Sequence, residues 1–388
     1  MPATAARTEA VLHLYHSDPN NEGLLLHLIN TTAEEVAWSL LIDTLGNLPD
    51  PEHYSPPANA QIGFACMCCQ LFELAESHIE NAIEHGVRDT HVTYNLAYCK
   101  TMLSKPAESM ALVSQIEQER PLNLAETVLK ARALMNDGNT QQATQLLLNE
   151  YHNDSFTAES LGLLALGLQD INNTDVQVET FARKAIEINN KALEAHLAIG
   201  ALQTARNEFD AAYSNYLQLT DWYPTCGQAW SGLGQVEYSE LRFAEAENAL
   251  LKATKYMPDH IGTWHLLGWS QALLGQPQEA LTTFKSALEL DRNFGESHGN
   301  IACGYCLLGE YHSARRHLKL AHKLAPFSLS SVMAEMLILE GEGKHVEAMQ
   351  LFDKAKNTEY PQLNSTPKKL ADARMSQILS RLKERHNA

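Results

Sequence analysis

CGQAWSGLGQVEYSELRFAEAENALLKATKYMPD, residues 226–259, is followed by two further stretches that repeat its pattern at a constant step of 34 residues. Equivalent places hold Trp230, Trp264 and His298, then Leu233, Leu267 and Ile301, then Gly234, Gly268 and Ala302. A second set of columns holds Ala246, Ala280 and Ala314; Leu250, Phe284 and Leu318; Ala253, Ala287 and Ala321; and Pro258, Arg292 and Pro326. A large residue with Leu and a small residue three and four places on lies along one face of a helix. Ala246, Leu250 and Ala253 form a second such stripe, and its small members let another helix axis come close. Gly275 and Gly309 fall between the blocks, where a helix must stop and the chain reverse. Pro258 and Pro326 end the second helix and start the turn into the next unit. Each unit is therefore a helical hairpin.

A helix–turn–helix unit of this length with these columns resembles the tetratricopeptide repeat, most clearly over residues 193–362. The resemblance implies an all-α, right-handed solenoid superhelix whose first helices line a concave groove. It implies a recognition surface and no single activity. The register continues in weaker form through residues 56–192, with one extra residue needed near Asn172 and Asn173. Residues 1–55 are expected to form a degenerate hairpin acting as an N-terminal helical lid, its second helix opened by Thr31 or Thr32 with Glu34 and Glu35 following. Residues 363–388 read as a linker and a C-terminal capping helix with Leu370, Met375, Ile378, Leu379 and Leu382 in one stripe.

Composition narrows the function classes. A net charge of −18 over 388 residues leaves no general attraction for a phosphate backbone, so nucleic acid is not an expected partner. Apolar residues at 45% and charged residues at 20% suit a folded chain. Seven cysteines, an odd number in a chain too large to need staples, point to a reducing compartment, and the expected location is cytoplasmic. No apolar run after Arg7 reads as a secretory signal, and none elsewhere reaches the length of a membrane span.

The sequence contains no phosphate-binding glycine loop and no H-E-x-x-H, so an enzyme is not expected and no cofactor is implied. Cys66, Cys68 and Cys69 fall within one helix and point to different faces, unlike the four converging ligands of a structural zinc site, so no metal is expected. Cys303 and Cys306 form a C-x-x-C on one helical face, expected to be that of the groove. A thiol redox enzyme using this pair is the third reading of function, although such chemistry favours a helix N-terminus to lower a thiol pKa.

The groove is the informative surface. In the inferred register the first helices present Tyr94 and Tyr98, then Arg132, then Gln235 and Tyr238, then His265 and Trp269, then Asn300. Aromatic side chains on a concave surface suit an apolar or amphipathic protein or peptide segment. Trp230 and Trp264 are expected to be buried between hairpins. Some family members grip chaperone carboxylate tails through Lys, Asn and Arg on successive first helices. Ser231, Gln235, His265 and Trp269 stand at the corresponding kind of place here, so that specificity is not implied. The first reading is thus a non-enzymatic scaffold, adaptor or dedicated chaperone. The second is a regulator or sensor whose groove takes a signal peptide or small ligand.

Overall fold

The structure, a computed structural model, describes residues 5–151, 156–171, 175–325 and 328–356. The expected linker and capping helix at 363–388 lie outside the described residues. The described residues form α-helices and short 3-10 turns, with no strand among them. They divide into two compact units, residues 1–190 and residues 191–388.

The first unit opens with α1 (Ala6–Ser17) packed on α2 (Glu22–Glu35), followed by the short α3 (Ile42–Gly46). Four hairpins follow: α4 (Pro56–Cys68) with α5 (Phe72–Glu84), α6 (Thr90–Met102) with α7 (Pro106–Glu119), α8 (Leu124–Asn136) with α9 (Thr140–Glu150), and α10 (Ala158–Asp170) with α11 (Asp175–Ile188). First helices begin at residues 56, 90, 124 and 158, a constant step; second helices begin at 72, 106, 140 and then 175, one residue late.

The second unit repeats the arrangement with α12 (Leu193–Ala205) and α13 (Phe209–Trp222), α14 (Gly227–Ser239) and α15 (Phe243–Tyr256), and α16 (Ile261–Leu274) and α17 (Pro277–Leu290). It continues with α18 (Gly295–Leu307) and α19 (Tyr311–Leu324), then α20 (Leu329–Gly341) and α21 (His345–Lys356). A core running from Tyr238 through Phe284 and Ile301 to Leu337 joins its helices from α14 to α20.

One backbone position recurs at eight of the reversals within hairpins among the described residues. Gln70, Ser104, Gly138, Asn207, Leu241, Gly275, Gly309 and Gly343 all take positive φ, between 58° and 81°, directly after a first helix. In each case the next residue's N–H reaches back five residues, as in Leu71 to Cys66, Arg242 to Glu237 and Glu310 to Tyr305. That bond closes the helix end and satisfies a carbonyl that has no partner inside the helix. Leu241 sits there at φ 63° with its side chain 42% exposed, so the strain is not offset by burial. Leu241→Gly should raise stability by about 0.5–1 kcal/mol, the strain relieved less the extra chain entropy of glycine. A urea titration in which the variant unfolds earlier than the parent would show that Leu241 is held by packing.

The N-terminal region differs from expectation. Thr31 and Thr32 do not open a helix; they lie inside α2, buried, with hydroxyls donating to the carbonyls of His27 and Leu28 at 2.8 Å. The cap of α2 is Asn21, whose side chain accepts from the Leu24 N–H at 3.1 Å, and the helix runs on until Val36 turns left-handed. The acidic residues that suggested a cap serve another end. Glu35 accepts from the Thr8 backbone and hydroxyl at 2.9 and 2.8 Å, tying α2 to α1.

Candidate functional site

In the first unit, three successive first helices line a half-open cavity of about 500 Å³. Tyr94 and Tyr98 come from α6, one turn apart; Leu124, Ala125, Val128, Leu129 and Arg132 come from α8; Thr157 and Glu159 come from the start of α10. Local sequence fixes these placements. Asn123 caps α8 by accepting from the Glu126 N–H while the Glu126 carboxylate accepts from the Asn123 N–H, and Thr157 caps α10 in the same reciprocal way with Ser160. Both caps lie at the cavity wall, so the helices that line it start at defined points. Arg120 binds Glu126 through both carboxylate oxygens, at 2.8 and 2.6 Å, fixing the turn that precedes α8.

The floor is apolar and the rim is charged. Leu129 packs with Ala97 and Val113 against the two tyrosines. Arg132 pairs with Glu159 at 2.9 Å across the edge, joining α8 to α10. Burial pushes the Tyr94 phenol up to about 12, with the Glu159 carboxylate adding to the effect, so it stays a neutral hydrogen-bonding group. Its hydroxyl bonds no described residue.

The second unit treats its expected groove residues differently. Gln235 is exposed, but Tyr238 is only 3% exposed and meets Phe243 edge-on at 5.5 Å. Tyr238 is therefore a packing residue between α14 and α15, not a groove residue. Asn300 is 1% exposed, with its amide oxygen accepting from the Trp269 indole N–H at 3.0 Å. That bond holds two successive first helices together, and Trp269 is further held against Phe284 with centroids 5.7 Å apart. His265 is partly buried, bonded to Ser297 at 2.8 Å and stacked on Phe294, and burial lowers its pKa to about 4. Two of the five expected groove residues here are closed off in the interior, and two more are held in contacts between repeats.

Trp230 and Trp264 are half-buried, not enclosed. Their indole N–H groups donate to the carbonyls of Pro224 and Pro258 at 2.8 and 2.7 Å, six residues upstream in each case. His298 in the same column donates from Nε2 to the Arg292 carbonyl, also six residues upstream, at 3.1 Å. The column thus needs a ring N–H that clamps the incoming turn, which is why histidine replaces tryptophan there. The His298 Nδ1 then accepts from His317 at 3.1 Å.

Cys303 and Cys306 are 0% and 1% exposed, with sulfurs facing the carbonyls of Ser330 and Ala334 at 3.5 and 3.8 Å. They seat α20 on α18 and do not face a groove. Burial raises both thiols, Cys306 to about 12, so neither supplies a thiolate at neutral pH. The groove-side placement expected for this pair is corrected on this ground. Burial also raises Cys66 to about 12. Among the described residues Glu76, Glu80 and Glu108 bring carboxylates together, but the Lys100 ammonium already lies 2.6–2.7 Å from each of them.

Tetratricopeptide-repeat family models match residues 190–260 and 261–294. Residues 190–294 are tetratricopeptide repeats. The chain is 25% identical over 199 residues to the Drosophila melanogaster BBSome complex member BBS4 homolog, and 23% identical over 198 residues to the Caenorhabditis elegans tetratricopeptide repeat-containing protein trd-1. These matches take in 51% and 50% of this chain but only 39% and 23% of the relatives. Among solved structures, the human IFIT1 dimer with m7Gppp-AAAA aligns over 85% of this chain and 83% of that one, at 15% identity and a TM-score of 0.52. Likeness at that identity concerns the fold. No helix among the described residues is long and apolar enough to cross a membrane.

Proposed function

We propose that this protein is a non-enzymatic adaptor or dedicated chaperone, and that the cavity of α6, α8 and α10 receives an apolar anchor from a partner protein. Arrays of this kind serve in general as protein-interaction scaffolds. The observation that carries the reading is the pair Tyr94 and Tyr98 facing Leu124, Val128 and Leu129 in a cavity of about 500 Å³, closed at its edge by Arg132 and Glu159. Aromatic rings over an apolar floor supply anchor energy, and the ion pair supplies direction. All seven cysteines are free thiols, in keeping with a reducing, cytoplasmic setting.

The volume also lies in the range of about 300–1,000 Å³ that suits small ligands, which favours the sensor as the second reading. Capture of the partner, followed by titration, separates the two. Tyr94→Ala and Val128→Arg should each weaken partner binding by about 1–3 kcal/mol while circular dichroism stays unchanged. Unaltered binding in both variants would move the site elsewhere. A small molecule retained by the purified chain and lost in Val128→Arg on native mass spectrometry would establish the sensor.

A further inference from the structure

α19 carries Arg315, Arg316, Lys319 and Lys323 with His312, His317 and His322, and no carboxylate, in a chain whose net charge is −18. Neighbouring elements use part of this charge. Arg315 pairs with Glu342, His322 lies 3.8 Å from Glu335 of α20, and His317 turns inward to His298 of α18. His312, Arg316, Lys319 and Lys323 remain exposed, at steps of four, three and four, which is one stripe of a helix. No carboxylate of the described residues pairs with any of the four. Leu320 and Leu324 lie beside them, 43% and 40% exposed. Lys285 of α17 extends the positive field, since its ammonium sits 5.2 Å above the Tyr305 ring next to His317.

We propose that this exposed face of α19 docks an acidic amphipathic helix of a partner protein, with carboxylates on Arg316, Lys319 and Lys323 and apolar side chains on Leu320 and Leu324. Charge selects the occupant. The chain's own C-terminal segment cannot neutralise the stripe, because residues 363–388 carry Lys368, Lys369, Arg374, Arg381, Lys383 and Arg385 against Asp372 and Glu384. An anionic membrane would meet the rest of an acidic chain along with the stripe, whereas a single helix of about 20 Å touches the stripe alone. The alternation of two leucines with the cations asks for a ligand with one apolar and one acidic face, not for a diffuse acidic tail.

The test uses the full chain and a fluorescein-labelled synthetic helix with Glu and Leu on opposite faces, beside a scrambled peptide of the same composition. The patterned peptide should bind, the scrambled one should bind at least about tenfold more weakly, and the triple variant Arg316→Glu, Lys319→Glu, Lys323→Glu should lose about tenfold or more. Lys319→Gln with Lys323→Gln, which reverses no charge, should show an intermediate loss at an unchanged melting temperature. Added salt should weaken binding in the parent and have less effect in the triple variant. Tyr94→Ala should bind the peptide like the parent, which keeps this surface separate from the cavity. Equal binding of patterned and scrambled peptides, or of parent and triple variant, would overturn the proposal. So would binding to phosphatidylserine vesicles without binding to the peptide, or parental self-association in sedimentation that the triple variant abolishes.

Discussion

Phe284→Ala is expected to lower the unfolding free energy by about 3–5 kcal/mol, the range for deleting a large, fully buried ring. Phe284 is 0% exposed on α17 and heads the fully buried side chains by size. Its ring occupies the space left by Gly268 on the facing α16: a Cβ built there would lie 2.4 Å from the ring. It also touches Trp269 edge-on at 5.7 Å, and Trp269 in turn binds Asn300 of the next hairpin. Losing the ring therefore opens a void between helices and frees the side chain that links two repeats. In a repeat array such damage passes to the neighbouring units, so the urea transition should broaden as well as move. Trp230→Ala, which removes a half-buried ring and one hydrogen bond, should cost less. If Phe284→Ala loses under about 1 kcal/mol, the hairpin collapses around the vacancy and the close fit to Gly268 is not a stabilising feature.

The hairpins were legible because their columns recur. Ala246, Ala280 and Ala314 are each fully buried, as a close helix–helix approach demands. The left-handed residue of each reversal could be read only where glycine marked it, at Gly138, Gly275, Gly309 and Gly343. Asn207 adopts the same backbone, which asparagine tolerates, whereas Gln70, Ser104 and Leu241 adopt it with no local sign in the sequence, because the fixed length of the reversal demands it of residues that do not prefer it.

Groove residues were legible in part. Tyr94, Tyr98 and Arg132 line the cavity together, since each lies on a first helix at the expected place. Tyr238 and Asn300 lie on first helices too, yet they face packed interfaces. On a helix, one residue turns the side chain by about 100°, so a small shift in register carries a residue from the groove to the interface. Cys303 and Cys306 share this error: their common face was visible, but the α20 backbone they pack on was not. The basic stripe of α19 was visible in the sequence as an absence of carboxylates over 14 residues, but its exposure is known only from the fold.

Lys100→Met is expected to cost about 2–4 kcal/mol at neutral pH, because it removes the cation that contacts three carboxylates at once. Lys100 is 6% exposed on α6, and its ammonium lies 2.6 Å from Glu76, 2.6 Å from Glu80 and 2.7 Å from Glu108. These come from α5 and α7, so one side chain joins three helices across two hairpins. Lys105 also reaches Glu76, at 2.7 Å. Burial by itself would lower the Lys100 pKa, but the hydrogen bonds to Glu108, Glu76 and Glu80 prevail and raise it. For Glu76, burial pushes the carboxyl up while Lys100 and Lys105 pull it down, with a net lowering from the usual 4.5. A carboxylate depressed in the folded state contributes stability above its unfolded pKa, and that contribution disappears as pH falls through the folded value. The parent should therefore be stable at neutral pH and weaken once the pH drops below about 4.5. In Lys100→Met the carboxylates repel one another, protonation relieves the repulsion, and stability should rise as pH falls from neutral toward 5. Glu80 and Glu108 are 42% and 56% exposed, which holds the cost below that of a fully buried triad. Adding Glu76→Gln should return part of the loss, since Glu76 is the carboxylate least able to reach water. Thermal unfolding of the three proteins between pH 4 and 8 reads these signs directly. A Lys100→Met protein whose stability falls with acid in parallel with the parent would show that the ammonium does not govern the carboxylates around it.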